Sequence, residues 1–119
     1  MAQIKSYDTF QNVKDHIKEG RLLSKGAELT IHATTEDITV TDSYHIVTSA
    51  SGSDDLKTIN GGTQAGQILV LQPATGKTLT VHKNDGNIKM ASDITLDAVT
   101  ESLTLIYNGT NWNMLSSGA

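Results

Sequence analysis

From Glu28 onward, apolar side chains recur at every second residue, and that rhythm restricts the chain to strands. Leu29, Ile31 and Ala33 alternate with Thr30 and His32, and Ile38 and Val40 alternate with Thr39 and Thr41. Successive side chains of a strand point to opposite faces, so a period of two sets one group against a core. Tyr44 and Ile46 alternate with His45 and Val47. Further runs follow at Leu56–Ile59, Gln67–Gln72, Thr78–Lys83, Asn87–Met90, Ile94–Leu96, Ser102–Tyr107 and Trp112–Leu115. Their centres lie about eight to twelve residues apart, the spacing of an all-β sandwich or barrel. Sixteen threonines, with an apolar set dominated by Ile, Leu and Val, add β-branched side chains that suit a pleated, half-buried surface.

Turn chemistry sets the expected pairing. Asn60-Gly61, Asp85-Gly86 and Asn108-Gly109 each join a residue tolerant of positive φ to a glycine, as hairpin turns require. Pro73 and Gly76 bracket another turn, and the Ser/Gly/Asp-rich stretch 48–55 reads as a solvated loop. The expected fold is mainly β: an antiparallel sandwich or barrel of about 8–10 short strands. Gln67 to Leu71 is a nearly continuous apolar run, which predicts a strand covered on both faces. No internal repeat is strong enough to specify a solenoid.

Residues 1–27 read differently, as an arm ahead of a β-domain over 28–119. Asp8 or Ser6 can cap a helix, with Gln11 at capping-box spacing from Asp8. Phe10, Val13 and Ile17 then form one apolar stripe, Lys14, Asp15, Lys18 and Glu19 lie off it, and Gly20 is a natural stop. A helix of about three turns is marginal alone and must dock, on its own β-domain or on a partner.

Composition narrows the function classes. Aromatics make up 4% of the chain and hydrophobic residues 37%, so the core is thin and burial against other copies is expected. The formal charge is −4 without a Lys/Arg cluster, which argues against nucleic acid as a partner. Cysteine is absent, which removes disulfides, thiolate metal sites and a Cys nucleophile. The first residues carry no apolar signal region and no stretch reaches the length of a membrane span. The expectation is a protein made in a cytoplasm, with no membrane partner.

Candidate chemistry is sparse. Ala74-Thr75-Gly76-Lys77-Thr78 has the end of a phosphate-binding loop but lacks the upstream glycine and runs into a strand, so it reads as a turn. His16, His32, His45 and His82 lack the local spacing of metal ligands. His82 is the best placed, through triplication on an oligomer axis. Asp54, Asp55, Asp85, Asp93, Asp97 and Glu101 sit in turns or at loop edges, where carboxylates cap amides, and glycoside hydrolysis would need two of them across a rigid cleft. Asn84-Asp85-Gly86-Asn87 lacks the register of a calcium loop. Asn108-Gly109-Thr110 matches a glycosylation sequon, but as a hairpin turn it needs no such role. No catalytic, cofactor or metal set emerges, and the chain reads as a non-enzyme. Tyr107 and Trp112 either fill the core or contact a partner.

The closing Leu103–Leu115 segment places a strand, an Asn-Gly turn and a return strand bearing the single Trp. With Thr58–Gly62, Gly66–Leu71 and Asp85–Ile88, it resembles the small β-domains of bacteriophage virion proteins, in tail-fibre tips and capsid decoration proteins. The resemblance covers roughly residues 56–115. It implies a structural protein of the virion, commonly a homotrimer, and supplies no catalytic residues. The short segment ahead of the β-domain favours a trimeric decoration (cement) protein bridging major capsid subunits. Ile4, Tyr7, Phe10, Val13 and Ile17 would then dock on the major capsid protein or another virion protein. The alternative is a tail-fibre tip that binds a host surface glycan or protein.

Overall fold

The computed structural model of the chain describes residues 23–119. The expected helix and its docking residues Ile4, Tyr7, Phe10, Val13 and Ile17 lie outside them. The described residues are mainly β and contain no helix. Their strands are β1 (Leu29–Thr30), β2 (Asp37–Thr39), β3 (Tyr44–Thr48), β4 (Ser53–Leu56), β5 (Thr58–Asn60), β6 (Ile68–Pro73), β7 (Thr78–Val81), β8 (Ile88–Lys89), β9 (Ile94–Leu96), β10 (Leu103–Tyr107) and β11 (Trp112–Ser117).

These strands form three sheets. The large one has the order β1-β3-β6-β10-β11-β8, the second β4-β7-β9 and the third β2-β5. The chain visits them in turn: β3, β4 and β5 lie on three different sheets, and β6 then returns beside β3 and β7 beside β4. Tyr44 pairs with Val70 and Ser53 with Thr78, so one circuit takes about 25 residues and stacks in parallel on the one before. The corners stack as well. Ala74 N–H donates to the Val47 carbonyl, Thr78 to Gly52, Lys57 to Glu36 and His82 to Leu56, all at 2.8–2.9 Å.

The antiparallel arrangement expected from the turns is therefore confined to β6, β10 and β11 and to β7 with β9. The other five pairings are parallel. The reason lies in two glycines. A Cβ at Gly61, where φ is +100°, would fall 2.2 Å from the Val40 carbonyl oxygen. One at Gly86 would fall 2.3 Å from that of Lys57. Both glycines sit where the backbones of neighbouring circuits touch, so close approach rather than a hairpin explains them. Only Asn108-Gly109 turns a hairpin: Tyr107 pairs with Trp112, and Asn108 Oδ1 accepts from the amides of Thr110 and Asn111. The loop expected at 48–55 also differs, because its last residues form β4 on the edge of β7.

The two-residue rhythm locates the core. Val47, Leu69, Leu71, Leu103 and Leu105 of the large sheet point inward, with Leu56, Leu79, Val81 and Leu96 of the second and Ile38 and Ile59 of the third. All belong to one cluster, each contributing on the order of 1.5–3 kcal/mol by leaving water. One inward strand position carries a polar side chain, with buried Ser49 just beyond the end of β3. His45 is completely buried, with Nδ1 2.7 Å from the Ala27 carbonyl and Nε2 accepting from the amides of Thr41 and Asp42. Both ring nitrogens are satisfied, which makes an imidazole tolerable in an apolar row.

Candidate functional site

Three places can carry function: the Trp112 region, the carboxylates around His82, and the outer face of the large sheet.

Trp112 belongs to the core and not to an exposed binding patch. It is wholly buried, its indole Nε1–H donates to the Ile59 carbonyl at 3.2 Å, and its ring lies 4.9 Å from that of Tyr107. Of the two readings of Trp112, filling the core or contacting a partner, its burial within the chain fits the first. A strand alternating about a thin core needs its largest ring inside, and the indole N–H finds a backbone acceptor there. Tyr107 is half-buried against the same cluster. Beside them Asn87 has a role that neither its strand nor the Asn84–Asn87 turn announces. Asn87 accepts the Ile59 amide on Oδ1 at 2.8 Å and donates from Nδ2 to the Ile59 carbonyl at 2.7 Å. Its side-chain amide thus copies the pairing of a backbone and extends the β2-β5 sheet by one rung. The only signal for it in the sequence is an asparagine opening a strand.

His82 closes β7 and gathers acids from three segments. Asp55 of β4 places Oδ1 3.0 Å from Nε2, in ion-pair contact but off the hydrogen-bond direction. Asp93 and Asp85 approach Nδ1 at 3.4 and 4.0 Å. The Asp55 carboxylate holds the imidazole pKa above its ordinary value and Asp93 adds to this, while burial and Lys57 oppose it. A raised folded-state pKa means that the stabilisation is full below about 6.5, the unfolded value, and fades as pH rises through the raised one. The three acids are about half exposed, so the effect is at most about 1 kcal/mol. Urea unfolding at about pH 6 and pH 8.5 is expected to show this loss, and His82→Asn is expected to flatten it.

Among the described residues, no group of three or more His, Asp or Glu has the arrangement to hold a metal ion. Acids of the turns also accept local hydrogen bonds. Asp54 accepts from the Ser49 hydroxyl at 2.7 Å, Asp93 from the Lys83 amide, and Glu101 from the amides of Asp97 and Ala98. The Asp97 amide holds the Glu101 pKa down, and Glu101 in turn pushes the Asp97 carboxyl up. Divergent carboxyls can mark an acid and a base. Here they share one short, exposed turn four residues apart and have no cleft between them.

The outer face of the large sheet is different in character. Along β3, β6 and β10, Tyr44, Ile46, Ile68, Val70, Thr104 and Ile106 alternate with buried neighbours and are only partly exposed. No carboxylate, amine or imidazole occurs at these outward positions, whereas the second sheet presents Asp55 and the third Asp37. Leu23, Ser24, Lys25, Tyr44, Val70, Gln72 and Ser102 line a groove of about 620 Å³ on this face. The charged residues of this face, Lys25 in the groove and Glu28 beside Ile46, lie at the margin of the apolar row and not opposite one another across it. The surface is suited to contact.

Compared with known proteins, residues 25–113 match the family model described as the phage depolymerase C-terminal beta sandwich domain. No curated protein matches the chain.

Proposed function

The chain belongs to the phage depolymerase C-terminal beta sandwich domain family, and on that premise we propose that it is a non-catalytic structural part of a tail fibre or spike. The observation that carries this reading is the family match, which spans most of the chain, all of β1 to β10 and the first two residues of β11. The charge-free outward row of β3, β6 and β10 supports it, since a part that joins others needs contact surface rather than converging acids and bases. The capsid-decoration reading finds no support in the family match, which fits a tail-fibre or spike part better. Association as a homotrimer and attachment to other tail proteins belong to the proposal.

The receptor-binding form of the tail reading needs a concave, exposed patch around Trp112 or Tyr107. With Trp112 buried, no exposed indole is available there for stacking on a sugar, so the structural role is the better supported. Separating tails from heads by sedimentation tests the proposal. The protein is expected with the tail fraction, and its exclusive recovery with heads would reverse the reading.

A further inference from the structure

We infer that Asn108 modifies itself: its hairpin turn promotes spontaneous deamidation of the side chain, through attack by the Gly109 backbone nitrogen, to aspartate and isoaspartate. The chain has two Asn-Gly pairs, Asn60-Gly61 and Asn108-Gly109. Without a Cβ, glycine leaves its own amide nitrogen unhindered, so the sequence rates the two pairs alike. Both asparagines are exposed, and access to water does not separate them either. Their surroundings do.

At Asn108 the side-chain Oδ1 accepts from the amides of Thr110 at 2.9 Å and Asn111 at 2.7 Å. Negative charge develops on this oxygen when a nucleophile adds to Cγ. Two preset backbone donors aimed at it act as an oxyanion hole does in acyl transfer. There is also room for the ring to close. A Cβ at Gly109 would find only the Ala65 Cβ within reach, at 3.9 Å.

Asn60 has the opposite setting. Its Nδ2 donates to Asp37 Oδ2 at 2.8 Å, so a carboxylate stands beside the amide that would have to take up negative charge. Its backbone is held as well. Asn60 pairs with Thr39, and its carbonyl accepts from the Val40 N–H at 2.9 Å. Gly61 lies against the Val40 carbonyl, where a Cβ would fall 2.2 Å from the oxygen. Rotating this peptide unit toward the side chain would break those contacts.

The reaction needs only water as co-reactant. The Gly109 nitrogen bonds to Asn108 Cγ and gives up its proton. The bond from Cγ to Nδ2 breaks, ammonia leaves with that proton, and a cyclic succinimide remains. Water adding at Cγ gives aspartate, whose carboxylate can still accept from Thr110 and Asn111. Water adding at the main-chain carbonyl gives isoaspartate, which routes the backbone through Cβ and Cγ. Either product adds one negative charge to the formal −4. Isoaspartate also lengthens the link between Tyr107 and Trp112, the pair that closes the hairpin.

Incubating the full chain in mildly alkaline buffer, and again in denaturing urea, tests this. Peptide mass mapping follows amide-to-acid conversion at each asparagine, and the emission of buried Trp112 reports that the chain is folded. In the folded chain Asn108 is expected to convert at least about tenfold faster than Asn60. In urea, where only the shared Asn-Gly sequence remains, the two rates are expected to converge. An intact Asn108 in the folded chain, equal rates at the two sites, or a preference that persists unchanged in urea would each overturn the inference. The last would make the neighbouring residues, and not the fold, the cause.

Discussion

Trp112→Ala is expected to destabilise the fold by about 3–5 kcal/mol, a large share of the 5–15 kcal/mol typical of a domain. The indole is wholly buried and joins two sheets, running from β11 to the Ile59 carbonyl on β5. Its ring also rests on Tyr107 at 4.9 Å. Truncation leaves a void that a stack of short, backbone-tied circuits cannot collapse to fill. Trp112→Phe separates volume from hydrogen bonding. The Ile59 carbonyl keeps its bond from Asn87, so losing the indole N–H alone should cost only about 1 kcal/mol. Denaturant unfolding measures both, and a Trp112→Ala cost below about 1 kcal/mol would contradict the description of this core.

His45→Leu is expected to be comparably severe although it makes the interior more apolar. The imidazole serves three backbone groups, the Ala27 carbonyl and the amides of Thr41 and Asp42. Leucine leaves all three part-buried groups without that partner, at roughly 1 kcal/mol or somewhat more each. The local backbone is shaped around the ring, since a Cβ at Gly26 would fall 2.2 Å from His45 Cε1. Unfolding should shift by about 3–5 kcal/mol, and hydrogen exchange at the Thr41 and Asp42 amides should accelerate before global unfolding. A neutral or stabilising outcome would mean that those groups find other partners.

Much of the fold was legible because apolar alternation reports directly on a core. Ile38, Leu69, Leu71, Leu79, Val81, Leu103 and Leu105 fall where the rhythm sets them. β4 was read as loop because Ser53, Asp54 and Asp55 are polar, and it is a strand only because β7 offers an open edge. Parallel stacking was hidden for a different reason. Pairing across about 25 residues depends on where corners send the chain, and an Asn-Gly or Asp-Gly pair reads alike whether it turns a hairpin or lets two backbones touch. Asn108-Gly109 does the first, while Gly61 and Gly86 do the second. Of the candidate site, His82 stood out among the histidines and Asp85 lies three residues on, but Asp55 and Asp93 come from segments that no local pattern connects to it. The apolar second face of β6 was visible in the sequence, and the groove on it was not.

The claim on which the account turns is that this domain joins parts of a phage tail. Electron microscopy of intact particles labelled with gold-conjugated antibody against the chain tests it most directly. The account predicts gold on the fibres or spikes of the tail and bare heads. Gold spread over the capsid surface with the tail unmarked would contradict it.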